Sequence, residues 1–192
     1  MSLPLAEVKQ AARKAASKIR KEVAAQDDGS ASLEIFAQLQ EAGLFKDGLV
    51  ISGFLPIGSE IDTRPILEKC RELGMVISLP CVEAVDAPLT FRKWHPDDEL
   101  VKESFGTMAP APSAEEVQPD IILSPMLAFD REGFRLGYGG GFYDRSLEKL
   151  RKVKSTVAIG VAYAGQEIDA VPHDHLDQPL DMVVTEKEVI RP

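Results

Sequence analysis

Residues 135–145, Arg-Leu-Gly-Tyr-Gly-Gly-Gly-Phe-Tyr-Asp-Arg, place glycines at 137, 139, 140 and 141 and run straight into a helical pattern. Glycine reaches positive φ without a steric cost and lets a ligand approach the backbone with no Cβ in the way. A bare loop that opens a helix also presents unpaired N–H groups and the positive end of the helix dipole to an anion. The stretch contains no Gly-Lys-Ser/Thr, and Phe142 stands where a G-x-G-x-x-G pattern would need its third glycine. It is therefore a phosphate cradle of another kind, or a tight turn ahead of a surface helix.

Asp144 separates those readings. A carboxylate about 4 Å from a phosphate would cost roughly 4 kcal/mol at an effective dielectric near 20. A magnesium ion between the two reverses the sign, because Mg²⁺ commonly combines one or two carboxylates with phosphate oxygens. The competing account is an aspartate that only complements the helix dipole. If the metal reading holds, Asp144→Ala abolishes metal-dependent activity with the fold intact.

A second constellation lies at the N-terminus. Lys9, Arg13, Lys14, Lys18, Arg20 and Lys21 follow one another without an intervening acid, although the chain carries a formal net charge of −9. Leu5, Val8, Ala12, Ala15, Ile19 and Val23 recur at helical spacing. At about 100° per residue, Lys9, Arg13 and Arg20 border that apolar stripe, while Lys14, Lys18 and Lys21 lie opposite it. Border side chains can reach into a neighbouring cleft, so Lys9 and Arg13 are the ligand candidates; a solvated basic helix is the alternative. Glu60 follows a buried-strand pattern, where α/β sheets place ligands, or else caps the next helix. His173 and His175 are two apart with no partner motif, a poor metal pattern, and His95 belongs to the surface.

These residues need a scaffold. Helical patterns at about 5–23, 32–42, 61–73 (ended by Gly74) and after Gly141 alternate with apolar strands at 49–55, 75–80, 120–124, 156–162 and 181–184. LTFRKW, 89–94, alternates as an exposed or edge strand. HPDDELVKE is a charged run, and GTMAPAPSAEEVQP a proline-rich surface loop. The order predicts an α/β fold: a three-layer αβα single domain over 1–192 with a mostly parallel central sheet. With 192 residues and 44% hydrophobic side chains the chain can bury a substantial core.

No run of eighteen apolar residues occurs and charge occupies the place of a signal-peptide core, so a soluble cytoplasmic protein without a membrane partner is expected. The acidic balance argues against nucleic acid. Cys70 and Cys81, in apolar contexts, are expected to be buried and reduced.

Taken together, Lys9 to Arg13, FLPIGSEIDT at 54–63, DIILSPMLAFDREGFRLGYGGGFYDR at 120–145 and VPHDHLDQPLDMVVTE at 171–186 resemble the 5-formyltetrahydrofolate cyclo-ligase (5,10-methenyltetrahydrofolate synthetase) family over nearly the whole chain. The glycine block with Tyr-Asp carries most of the specificity.

The resemblance implies ATP- and Mg²⁺-dependent cyclisation of 5-formyltetrahydrofolate, by a monomer or weak dimer. It implies ATP contacts from Lys9, Arg13, Arg135, Leu136, Gly137, Tyr138, Gly139, Gly140, Gly141, Phe142 and Tyr143. Arg13, Tyr143 and Asp144 become catalytic, Asp144 and Asp177 metal ligands, and Leu55, Glu60 and an aromatic at Phe105 hold the folate. A sugar-phosphate isomerase-like enzyme, or a folate or nucleotide binder without turnover, would use a related scaffold. One departure stands out: some relatives carry Arg or Lys between the glycines, where this chain has Tyr138 and Gly140. Charge would then come from Lys9, Arg13, Arg135, Arg145 and Mg²⁺.

Overall fold

The computed structural model describes residues 4–103 and 106–192. Its helices are α1 (Leu5–Ala24), α2 (Ala31–Glu41), α3 (Arg64–Glu72) and α4 (Phe142–Arg151), with a short 3-10 turn at Ala164–Gln166. The strands are β1 (Val50–Ser52), β2 (Val76–Cys81), β3 (Thr90–Lys93), β4 (Leu100–Lys102), β5 (Met108–Pro110) and β6 (Ile121–Ser124). They continue with β7 (Ala128–Phe129), β8 (Arg135–Leu136), β9 (Val157–Val161), β10 (Met182–Val184) and β11 (Val189–Ile190).

One sheet runs β11-β10-β9-β6-β1-β2-β3. Its five inner strands are parallel, and β11 and β3 close the edges antiparallel. The inner strands read as apolar runs because both faces are covered. On one face Ile35 and Leu39 of α2 and Ile66 and Leu67 of α3 pack with Ile51, Ile77 and Leu123. On the other, Leu147 and Leu150 of α4 pack with Ile122, Ala158 and Val183. The expected three-layer α/β architecture is present. Cys70 and Cys81 are buried free thiols, pushed up to about 12 and about 11 by desolvation. No helix among the described residues is long and apolar enough to cross a membrane.

Several local expectations change. β1 stops at Ser52, short of Leu55, because the backbone of Phe54 turns aside to hydrogen-bond with Thr63 Oγ1. The helix expected from Ile61 starts at Arg64, with Pro65 in its first turn, where a missing N–H costs nothing. The charged run and the proline-rich loop contain the two-stranded ribbon β4-β5, whose Ala109 is buried.

α1 shows the largest difference. Its apolar stripe stays partly outside, with Leu5, Val8 and Ile19 each more than a third exposed, while Ala16 and Arg20 are buried. The helix has rotated its basic border inward. Full burial of one aliphatic side chain is worth about 1.5–3 kcal/mol. Against that, Arg20 makes four hydrogen bonds to groups of the fold, and bonds to a charged group are worth about 1.5–3 kcal/mol each. Ala16 anchors this face on Leu127, Ala128 and Leu136 of the β7-β8 hairpin.

Candidate active site

The hairpin aims the glycine loop. Asp130, 2% exposed, accepts the N–H groups of Glu132 and Phe134 through Oδ1 and of Val171 through Oδ2. That carboxylate fixes the β7-β8 turn, and β8 delivers Arg135 and Leu136 into residues 137–141 at the mouth of a cavity of about 810 Å³. Phe54, Val82 and Pro125, which follow β1, β2 and β6, also line it, so it lies at the carboxyl ends of those strands. Open α/β sheets bind their ligands in that position, and the volume is within the usual small-molecule range.

Within the loop the glycines serve different ends. Gly139 (φ 100°) and Gly141 (φ 66°) take the left-handed backbone, whereas Gly137 and Gly140 do not. A Cβ on Gly137 would meet open space; one on Gly140 would strike the Phe142 ring at 2.8 Å. Gly141 is the N-cap of α4 and no side chain caps the helix. Cations from outside the loop surround it. Arg13 Nε donates to Gly137 O at 2.9 Å, and its Cζ would lie 3.1 Å from a Gly139 Cβ. Arg145 Nη2 donates to Gly140 O at 2.7 Å, with its guanidinium 5.2 Å above the Phe142 ring.

Asp144, in the first turn of α4, accepts Arg135 Nη2 at 2.7 Å and the Gln178 N–H at 2.9 Å, both on Oδ1. Burial holds the Arg135 guanidinium below its usual pKa despite Asp144 beside it. Lys9 Nζ pairs with Asp177 at 2.6 Å and Asp174 at 3.3 Å. Burial opposes the charge on Lys9, but those two carboxylates more than compensate and raise its pKa. Desolvation drives the Tyr143 phenol well above the ordinary tyrosine range.

Among the described residues no group of three or more His, Cys, Asp or Glu could hold a metal alone. The donor set suits a cation that takes most of its ligands from phosphate, with Asp144 Oδ2 carrying no hydrogen bond among the described residues.

Across the cavity Glu60 is buried; its Oε2 accepts the Ile57 N–H at 2.8 Å, and Arg20 Nη1 lies 3.4 Å from Oε1. Desolvation raises its pKa, partly offset by that N–H, by Tyr138 and by Arg20. It does not cap α3, whose N-cap is Thr63. Leu55 lines the cavity wall. Phe105 lies outside the described residues. His173 stacks on Phe134 at 3.5 Å between centroids, its Nδ1 2.9 Å from Val171 O; His175 and His95 are exposed.

Arg20 is what sequence reasoning missed. It shares the helix border with Lys9 and Arg13, which was the available signal, yet it is 4% exposed beneath the glycine loop. It reaches Ser59, Glu60, Met126 and Tyr138.

The model of the 5-formyltetrahydrofolate cyclo-ligase family matches residues 5–186. The 5-formyltetrahydrofolate cyclo-ligase of Escherichia coli K12 is 35% identical over 144 residues, 72% of this chain and 79% of that protein. That of Mycolicibacterium smegmatis is 34% identical over 157 residues, 78% of this chain and 79% of that one. The NMR structure of Aquifex aeolicus 5,10-methenyltetrahydrofolate synthetase superposes with a TM-score of 0.75 at 30% identity, covering 96% of this chain and 92% of that chain. With sequence, fold and cavity in agreement, the chain belongs to the 5-formyltetrahydrofolate cyclo-ligase family.

Proposed function

We propose that the chain converts 5-formyltetrahydrofolate and ATP to 5,10-methenyltetrahydrofolate, ADP and phosphate, with Mg²⁺ required. The observation that carries this reading is a single cavity lined both by the glycine loop with Arg13 and Asp144 and by Leu55 and Glu60. Two substrates that must react need such a shared space.

The formyl oxygen is a poor leaving group. Its attack on the γ-phosphorus breaks the bond to the β–γ bridging oxygen, releases ADP and leaves the formyl carbon carrying a phosphate. N10 then bonds to that carbon and loses its proton, and phosphate departs to give the methenyl bridge. The protein's share is positioning and charge stabilisation.

Residues 135–143 hold ATP chiefly through backbone N–H groups, with Lys9 and Arg13 against its phosphates. Glu60 accepts hydrogen bonds from the pterin's amino and ring N–H groups, and Leu55 supplies apolar wall; Phe105 is the candidate pterin cover. Tyr143 keeps its phenolic proton at neutral pH, so it acts as a donor to developing negative charge and not as a base. Asp144 is the side chain that would hold Mg²⁺, with Asp177 as the second acidic candidate, and the ion supplies neutralisation of the triphosphate.

The test is incubation of purified protein with ATP, Mg²⁺ and 5-formyltetrahydrofolate, following the near-ultraviolet absorbance of the methenyl product together with ADP. Equimolar product and ADP are expected. ATP hydrolysis that ignores folate, with no methenyl product, refutes the assignment.

A further inference from the structure

Arg20 is a buried cation that the proposed chemistry leaves without a task. Its guanidinium lies behind the cavity wall and bonds to two residues that line it, Glu60 and Tyr138. Nε donates to Ser59 Oγ at 3.1 Å and Nη1 to Met126 O at 3.1 Å, with Glu60 Oε1 at 3.4 Å from Nη1. Nη2 donates to the Tyr138 hydroxyl at 2.6 Å, and Cζ lies 5.4 Å from that ring's centroid. Ser59 and Glu60 belong to the loop after β1, whereas Tyr138 is the one side chain between the first glycines of the other loop.

We propose that Arg20 is a positioning residue which, through Tyr138, holds the glycine loop in register with Glu60, so that folate and ATP each strengthen the binding of the other. The proposal rests on the cyclo-ligase reading for the identity of the two ligands. Tyr138 is half exposed and sits among glycines with little backbone constraint of their own; Arg13 and Arg145 hold the loop's carbonyls, and the link to Arg20 is the tether that joins the loop to the Glu60 segment. A ligand that engages Glu60 stiffens this existing bridge further, so less ordering of the loop remains to be met when the second ligand binds. Lysine cannot replace this arrangement, because one ammonium cannot present the planar fork that reaches four acceptors on three segments.

The experiment measures dissociation constants for a non-hydrolysable ATP analogue with Mg²⁺, without and with saturating 5-formyltetrahydrofolate, in wild type, Tyr138→Phe and Arg20→Lys. The readout is the ratio of the two constants, which cancels uniform damage to the ATP site. Wild type should show a ratio of about five or more, within the usual range for coupled sites, and both variants a ratio near one. Tyr138→Phe removes only a hydroxyl from a half-exposed ring, so it decides the matter even if Arg20→Lys fails to fold. A ratio retained in Tyr138→Phe, or a wild-type ratio of one, overturns the coupling. If wild type turns over 5-formyltetrahydrofolate while either of those results is seen, only the coupling falls. If wild type neither binds nor converts the folate, the functional reading falls and the coupling with it.

Discussion

Replacing Asp144 by alanine removes the acceptor for Arg135 Nη2 and for the Gln178 N–H. The Arg135 side chain is 5% exposed and that of Asp144 25%. The guanidinium would keep the Gln178 carbonyl as a hydrogen-bond partner, with its charge unbalanced in a desolvated site. Breaking a buried ion pair from one side costs about 3–5 kcal/mol, and the partial exposure of Asp144 places this case near 3 kcal/mol. That is a large share of the roughly 5–15 kcal/mol by which a domain is stable. Asp144→Ala should therefore lower stability as well as metal-dependent activity.

Asparagine separates the hydrogen bonds from the charge, because its amide oxygen can still accept both donors while the Arg135 charge stays unbalanced; it should recover about 1–2 kcal/mol of the alanine cost, the net worth of two ordinary hydrogen bonds. Loss of the charge should still lower kcat by about 10²–10³, as for other lost charge-stabilising groups. Urea unfolding should thus rank wild type above Asp144→Asn above Asp144→Ala, with about 1–2 kcal/mol between the variants from the two hydrogen bonds that asparagine keeps. Steady-state assays across a Mg²⁺ series should find Asp144→Asn almost inactive though folded. If Asp144→Ala unfolds at the wild-type midpoint, the Arg135 argument is wrong; if Asp144→Asn keeps a third of wild-type kcat, the metal role is wrong.

The glycines offer a second comparison: Gly137→Ala should leave the urea midpoint unchanged, since its Cβ meets open space, while Gly139→Ala, at φ 100° against Arg13, should lose about 1 kcal/mol or more. Equal destabilisation of the two would contradict the loop geometry. Glu60→Gln should melt above wild type at pH 7. Burial raises the Glu60 pKa, so its contribution to stability is present below the unfolded value of 4.5 and is lost as pH rises through the folded value. The gain should therefore vanish toward pH 4, while KM for the folate rises by about 10–100-fold through loss of a charged acceptor. A variant that melts lower at pH 7 would show that the Arg20 pair outweighs the burial of Glu60. Arg13→Ala should raise KM for ATP about tenfold or more and KM for the folate by much less, as expected for a lost charge-assisted contact; equal effects on both would place Arg13 outside the nucleotide half.

Much of the sheet was legible because its inner strands are buried on both faces and so appear as short unbroken apolar runs, as Ile121–Ser124 does. The ribbon β4-β5 was not, because Leu100–Lys102 is mostly exposed and Met108–Pro110 sits among prolines, so neither shows a strand period. The site followed the same division. Glycine, Asp144 and Glu60 were legible from residue type and position, but Arg20 was hidden by a rule that normally works. Apolar periodicity picks the buried face of a helix when hydrophobic burial outweighs the other forces on it. Here the partners of α1 are carboxylates, carbonyls and a phenol at Asp174, Asp177, Gly137, Glu60, Met126 and Tyr138, and polar pairing turned the helix instead.

That rotation also accounts for the missing cation between the glycines. A lysine or arginine carried on residues 137–141 would lose much side-chain entropy on every binding event, up to about 2 kcal/mol for such a chain. In this chain the charge next to the loop stands on α1 and α4, where Arg13 and Arg145 are already fixed by bonds to the loop's own carbonyls. The ordering cost is met during folding and not during binding. Tyr138 occupies the vacated position and faces Arg20, so the loop keeps a link to a guanidinium without carrying one. The exchange requires α1 to bury its basic border, and the exposed Leu5, Val8 and Ile19 are the cost of that orientation.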